Sequence, residues 1–340
     1  MRAAVYHKPY SRLSIEERLM PEPGPDEVLI KVRACGICHT DLHFIDHGVP
    51  PLKKPPLILG HEISGTVDEV GDQVEGLSVG QPVLVAVMVP CYECAYCQQG
   101  RTNLCRRKHI PGNAFDGGFA EYMTVHKNGV IPLPEEIPLE PACVIADVFG
   151  TTYHALHEVA RLQPEETLLV FGTGGLGSAA IQVAKHQGAS VIALDMNPLK
   201  LQWAEELGAD ETINASSIRD LGGYVRDLTD GGVDVALEAV GAPRTIYQAF
   251  TCLRPAGRLI ILGYTRNEFK LPEPQLVVEE RAVLGVRSCP MEVYPKVFEH
   301  VINGEYRLEP IVTKRLQLQD IEEGLNSVRS GQTLRTIIEP

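Results

Sequence analysis

No stretch of this 340-residue chain is apolar for long enough to cross a bilayer. The longest purely apolar run, Val83 to Val89 in PVLVAVMVP, falls far short of the roughly 20 residues a spanning helix needs. Runs of lysine and arginine are also missing, and 31 basic against 44 acidic residues give a formal charge of −13. Phosphate neutralisation needs a basic patch, so neither nucleic acid nor an anionic membrane is expected as a partner. The first ten residues, MRAAVYHKPY, contain no apolar segment of the kind a secretory leader carries, so a cytoplasmic location is expected. Internal repeats, low-complexity segments and linkers are absent as well.

What remains is ordinary for a globular protein: 44% hydrophobic and 22% charged residues. A chain of 340 residues exceeds what one hydrophobic core usually serves, so two domains are expected. Nine cysteines need a reason. In a reducing compartment, clustered cysteines read as metal ligands or catalytic thiols more often than as disulfides.

The text changes character near Gly150. Before it, short alternating apolar runs such as EVLIKVRA, QPVLVAV and FAEYMTV are punctuated by Gly and Pro, which predicts a β-rich domain with long loops. After it, TLLVFG, SVIALD, VDVALEAVG and RLIILG alternate with helical patterns. That order predicts βαβ units, hence a doubly wound parallel sheet with helices on both faces. Beyond about Cys289 come a helical pattern, YPKVFEHVING, then another helix and a last apolar strand.

LVFGTGGLGSAAIQVAK places Gly172, Gly174, Gly175 and Gly177 between an apolar strand and an amphipathic helix. Such glycines allow a tight turn, close approach of backbone to a pyrophosphate, and close helix–strand packing. The helix N-terminus then offers N–H groups and its dipole to phosphate. Asp195 ends the next strand, where a carboxylate bonds both ribose hydroxyls of NAD and repels a 2′-phosphate. NAD rather than NADP is the cofactor expected.

CYECAYCQQGRTNLC spaces Cys91, Cys94, Cys97 and Cys105 as Cx2Cx2Cx7C. Four thiolates with no open position describe a closed structural zinc site, here a lobe over about residues 90–106. An iron–sulfur cluster is the rival, but the Cx3CP tail of bacterial ferredoxin runs does not follow. A second constellation, CGICHTDLH from Cys35 to His43, must find partners elsewhere, and ILGHEISG supplies His61 and Glu62. Catalytic zinc takes three protein ligands and leaves a position for water or substrate. Cys38 and His61 make two, and no further Cys-rich motif offers the third.

These motifs, in this order, resemble the zinc-dependent medium-chain dehydrogenase/reductase family, most nearly its NAD-dependent alcohol dehydrogenases, for which a Cys2His catalytic zinc site is known. The resemblance spans nearly the whole chain. It implies a β-rich GroES-like catalytic domain over 1–148, a Rossmann domain over 149–288, and return of the chain to the catalytic domain over 289–340. It also implies two zinc ions and reversible hydride transfer between an alcohol and NAD. The ligand in CGICHTD would be Cys38, with His61 second and Glu62 near enough to coordinate when the site rearranges. In CVIADVFGTTYHAL the third ligand falls at Asp147, where many relatives have cysteine, with Cys143 as rival. Aspartate in place of cysteine swaps a soft donor for a hard one.

By the same resemblance, Thr40 takes the substrate proton, His43 passes it on, and Asp41 orients the ligating histidine. His39 and Arg335 match cationic residues near the pyrophosphate, and Lys200 a lysine at the adenosine ribose. Thr151, Leu262 and Tyr264 would lie by the nicotinamide, with Leu176 in the glycine loop. A homo-oligomer, tetramer or dimer, is the analogy for assembly. His47 lies near the substrate loop; the other histidines have no ligand spacing and read as surface or packing residues. Cys252 and Cys289 read as buried apolar residues. Rival functions are a sorbitol-like polyol or threonine-like dehydrogenase on the same scaffold, or an inactive dinucleotide-binding protein.

Overall fold

A computed structural model describes residues 1–107 and 109–340. The chain divides into two compact units, Met1–Gly150 together with Ser288–Pro340, and Thr151–Arg287.

In the first unit the backbone of a seven-stranded sheet is Glu27–Gly36. Its sequence EVLIKVRACG turns Lys31 and Arg33 outward between buried neighbours, the period-2 alternation of a strand with one solvated face. Glu62–Val70 pairs with it antiparallel and carries His61 and Glu62 at its start. On the opposite edge Arg335–Glu339 pairs Ile338 with Cys35, so this strand lies beside the CGICHTDLH segment. Val312–Gln317 extends this edge in parallel, and Pro82–Val85 with Val130–Pro132 completes the other. A three-stranded sheet of Ser14–Glu17, Arg2–Tyr6 and Leu57–Ile58 stands apart. Val28, Ile30, Cys35, Ile37, Leu42, Phe119 and Leu325 fill the core between strands and helices.

The second unit is a six-stranded sheet, all parallel. Its order is Glu211–Asn214, Ser190–Asp195, Thr167–Phe171, Val233–Glu238, Leu253–Ile261 and Ala282–Gly285. The central runs VIAL (191–194), LLVF (168–171) and VALE (235–238) are buried on both faces, as strands covered by helices must be. Strand order reverses between Thr167–Phe171 and Val233–Glu238, and ligands of open α/β sheets bind at such a switch point. Ser14–Glu17 and Glu211–Asn214, whose text shows no apolar alternation, are edge strands held by backbone pairing with an apolar neighbour. Among the described residues no helix is long and apolar enough to cross a membrane.

Candidate active site and dinucleotide cradle

Two constellations whose donor atoms could hold a metal ion form in the first unit. The helix His39–Ile45 begins at Cys38, whose backbone is extended as an N-cap requires. Asp41, in the first helical turn, reaches back: Cys38 N–H donates to its Oδ2 at 3.0 Å and Gly60 N–H to its Oδ1 at 3.3 Å. One fully buried carboxylate thus ties together the loops that carry Cys38 and His61. The same carboxylate stands 3.9 Å from His61 Nδ1, which sets the ring's orientation. Asp147 arrives from a wide-turn helical stretch, Ile145–Phe149, and such π-type turns recur where a helix must present a functional side chain.

These elements bring one donor atom each from Cys38, His61, Glu62 and Asp147 within 4.8 Å of one another. Cys38 Sγ lies 3.9 Å from Asp147 Oδ2. Cys143, the rival third ligand, is wholly buried and stands outside this cluster; burial pushes its thiol far up. Cys35 is buried too, and its Sγ points to the carbonyl of Gly36.

The electrostatics are those of a cation site. Burial alone would lower His61, but its bond with Cys38 and the charges of Cys38, Asp41 and Asp147 outweigh that and hold it up to about 10. Burial pushes Glu62 up to about 7, with Arg335 opposing and Asp147 adding. Among the described residues neither carboxylate oxygen of Glu62 has a hydrogen-bond partner, although Arg335 Nη1 approaches Oε1 to 3.4 Å. A buried thiol, imidazole and carboxylate facing the half-buried Asp147 carboxylate are an uneconomical arrangement unless a divalent ion is meant to sit among them. The donor set therefore fits zinc. Gly36 makes room for Glu62, since a Cβ there would stand 2.1 Å from Glu62 Oε2.

The second constellation is the lobe of Cys91, Cys94, Cys97 and Cys105, whose four sulfurs also lie within 4.8 Å. Cys94 caps the short helix Ala95–Gln98, which brings Cys97 Sγ to 3.6 Å from Cys94 Sγ and 3.9 Å from Cys91 Sγ. Gly100, at φ +75°, makes the turn that returns the chain to Cys105. N–H groups of Arg106 and Cys97 hold Cys94 down to about 6, as thiolate ligands require, while burial pushes Cys97 up to about 12. Four sulfurs with no open position fit a structural zinc ion. Met291 N–H donates to Thr102 Oγ1, so the lobe is fastened to the chain's later return to this unit.

The residues expected to handle protons, Thr40 and His43, flank the first site. Thr40 is exposed, with Oγ1 3.5 Å from Cys38 Sγ. His43 is half-buried, and its Nδ1 faces Nδ1 of His47 at 3.1 Å. Burial, then the His47 charge, lowers its pKa, so a neutral ring able to accept a proton is favoured. His39 is exposed on the first turn of the same helix. Arg335, expected near a pyrophosphate, is 5% exposed and donates to Ile37 O at 2.8 Å. Its pairing with Glu62 and the contact of His43 with His47 were not read from sequence. An i, i+4 spacing from a helix was the available signal for the histidines.

The second unit carries the dinucleotide features. Gly172 takes φ +88°, and a Cβ on Gly177 would stand 2.1 Å from Gly172 O, so both glycines are required by the turn itself. Gly174 differs: its φ is −71° and a Cβ there would meet nothing within 4 Å. The helix Gly175–His186 starts at once, and its first turn has N–H groups that helix geometry leaves unpaired. An open cradle before a helix N-terminus fits a pyrophosphate. Leu176 is half-buried in that turn.

Asp195 Oδ2 accepts from Thr173 N–H and Oγ1 at 2.9 and 3.3 Å, and Oδ1 from Met196 and Asn197 N–H at 2.8 and 2.9 Å. The carboxylate is thereby fixed against the glycine loop. Lys200 lies in the helix Pro198–Glu206 that follows. Leu262 and Tyr264 flank Gly263, just past the strand Leu253–Ile261, and Tyr264 is 58% exposed. Their loop is held by Glu238: its carbonyl accepts from Leu262 and Gly263 N–H, and its Oε1 from Val240 N–H, Gly241 N–H and Thr245 Oγ1. Thr151 is buried.

Comparison with known proteins bears on this arrangement. Residues 24–135 match the family model of the alcohol dehydrogenase GroES-like domain, and residues 175–303 that of zinc-binding dehydrogenases. An alcohol dehydrogenase of Geobacillus stearothermophilus is 33% identical over 100% of this chain and 92% of its own length. An L-threonine 3-dehydrogenase of Pyrococcus abyssi is 35% identical over 99% of this chain and 98% of its own. The solved structure of the alcohol dehydrogenase from Aeropyrum pernix superposes with a TM-score of 0.92 and 34% identity, each chain fully covered.

Proposed function

The chain belongs to the zinc-dependent medium-chain dehydrogenase family, and from that membership we propose that it moves hydride reversibly between a primary or secondary alcohol and NAD, with Cys38, His61 and Asp147 holding the catalytic zinc. Glu62 is the reserve ligand, and Cys91, Cys94, Cys97 and Cys105 hold a structural zinc. The observation that carries this reading is the convergence of Cys38, His61, Glu62 and Asp147 donors within 4.8 Å, beside two hydrogen-bond-free oxygens of Glu62.

When bound, zinc acidifies an alcohol hydroxyl or polarises a carbonyl, and the nicotinamide takes or gives the hydride. The chain's own residues do the rest. Asp41 fixes the His61 ring and the Cys38 backbone, so the donor atoms hold their spacing without reorganisation. Arg335 offsets part of the negative charge at Glu62 and keeps that carboxylate from competing fully for the ion. Thr40 accepts the substrate proton at Oγ1, and His43, kept neutral, takes it onward. Gly174 lets the backbone approach pyrophosphate, with His39, Arg335 and Lys200 as the cationic side chains expected there. Asp195 selects NAD by bonding ribose hydroxyls and repelling a 2′-phosphate. Thr151, Leu176, Leu262 and Tyr264 supply the apolar and aromatic walls of the cofactor.

Polyol and amino-alcohol substrates are the alternative within the same chemistry, and the likeness to an L-threonine 3-dehydrogenase favours including them. The test is NADH formation with primary, secondary and aromatic alcohols, sorbitol and L-threonine, alongside the NADP comparison. Turnover of simple alcohols with NAD supports the proposal. Turnover confined to sorbitol or threonine overturns the substrate class, and none with any of them overturns the activity. A cytoplasmic location and a homo-oligomeric state complete the proposal, to be read by cell fractionation and by sedimentation.

A further inference from the structure

The helix that starts at Cys38 ends in an unusual way. Asp46 caps it with its N–H on Leu42 O, Gly48 turns the chain at φ +63°, and Val49 N–H folds back to His43 O at 3.0 Å. Gly48 is required there, because a Cβ would press on the Tyr10 hydroxyl at 3.0 Å. This fold-back sets His47 over His43, rings 5.3 Å apart and tilted by 44°, with Nδ1 facing Nδ1 at 3.1 Å. His43 is half-buried and His47 exposed.

An Nδ1–Nδ1 contact at this distance holds one proton: one ring donates and the other accepts. Two imidazoles joined in this way, one towards the interior and one in water, form a conduit and not only a tether. We propose that His47 is a second member of the proton relay and is the residue from which the substrate proton leaves for solvent. The inference rests on the alcohol dehydrogenase reading and deepens it.

The transfer balances without any redox partner. His43 begins with its proton on Nδ1, bonded to Nδ1 of His47, whose own proton is on Nε2. As Nε2 of His43 gains the substrate proton, the Nδ1–H bond of His43 breaks and an Nδ1–H bond forms on His47. His47 then gives its Nε2 proton to water. Both rings end in the opposite tautomer and reset by proton exchange with water or by rotation; carbonyl reduction runs the same chain backwards.

The carboxylate next to His47 in the chain is itself paired. Asp46, between the two histidines and the turn, is held by Arg329 from the helix Ile321–Arg329, Nε to Oδ2 at 2.8 Å and Nη2 to Oδ1 at 2.9 Å. Tyr10, Arg12 and Glu322 are the other titratable groups lining the shallow pocket with Asp46 and Arg329. The His47 charge is the one that bears on His43 after burial, and both lower it.

Glutamine at position 47 keeps an acceptor for His43 but carries no proton through. His47→Gln and His47→Ala therefore separate a conduit from a tether. In dilute buffer below pH 7 both variants should lose about 5- to 10-fold in kcat for alcohol oxidation, a fraction of what general acid–base groups supply. KM should be unchanged, the solvent isotope effect should rise, and added imidazole should restore the rate. Independently of activity, the NMR titration midpoint of His43 should move up in His47→Gln, because the repelling neighbour is gone. Wild-type kcat in both variants with no response to imidazole overturns the relay while leaving the dehydrogenase reading intact. Loss in His47→Ala alone, without imidazole rescue, also overturns it, since that is the pattern of a tether. A wild-type chain that oxidises no alcohol overturns the underlying reading, and the relay with it.

Discussion

Asp41→Asn is the sharpest perturbation of the proposed catalytic zinc site that leaves every proposed ligand in place. The carboxylate is fully buried, accepts from Cys38 and Gly60 N–H, and stands 3.9 Å from His61 Nδ1. Asparagine has the same shape but one acceptor oxygen and one NH2. Whichever way it turns, one buried N–H loses its partner and faces another donor, at about 1–3 kcal/mol. The ring of His61 loses the charge that orients it. Changing such an outer partner weakens metal affinity by about 10- to 100-fold, or roughly 1.4–2.8 kcal/mol. The four-cysteine lobe has no part in this network and serves as an internal standard. The assay is chelator competition with zinc counted by a chromogenic indicator. One of two zinc ions should leave Asp41→Asn at about 10- to 100-fold lower chelator activity than in wild type, while the other is unmoved. Equal release of both ions, or no change in either, would refute the argument that Asp41 positions the catalytic ligands.

Three further outcomes follow from the same structure. Gly174→Ala should keep the wild-type Tm and weaken NAD binding, because its Cβ meets no protein atom within 4 Å. Gly177→Ala should lower Tm as well, since its Cβ would stand 2.1 Å from Gly172 O, an overpacking of about 1–3 kcal/mol; calorimetry and NAD titration read the two effects. Asp195→Gly should narrow the NAD over NADP preference, and an unchanged ratio of kcat/KM values would remove Asp195 from that role. Cys105→Ser should lower Tm and zinc content by one ion per chain without shifting the pH profile of whatever activity survives; a normal zinc count would deny the lobe its ion.

The sequence made the chemistry more legible than the contacts that arrange it. Glycine spacing, the Cx2Cx2Cx7C run and alternating apolar text are local signals, and they point to the dinucleotide loop, the metal lobe and most strands directly. Resemblance to a family supplied Asp147 and Asp41, neither of which has a spacing that marks it. Strands such as SIEE and ETIN carry no local pattern because pairing along one edge decides them. The Arg335–Glu62 approach joins two ends of the chain through the pairing of Arg335–Glu339 with Glu27–Gly36. No spacing rule reports such a contact. His47 was visible as a neighbour of the site but not as a partner of His43, since the fold-back at Gly48 is what brings the rings together.

The central claim is that a catalytic ion is held at Cys38, His61 and Asp147, apart from the one in the cysteine lobe. Counting zinc in active wild type and in Cys38→Ala by mass spectrometry of the metal tests it most directly. Two ions per chain should fall to one in the variant, with alcohol oxidation lost and NAD still bound. One ion in both proteins, with the wild type turning over at full rate, would contradict the account.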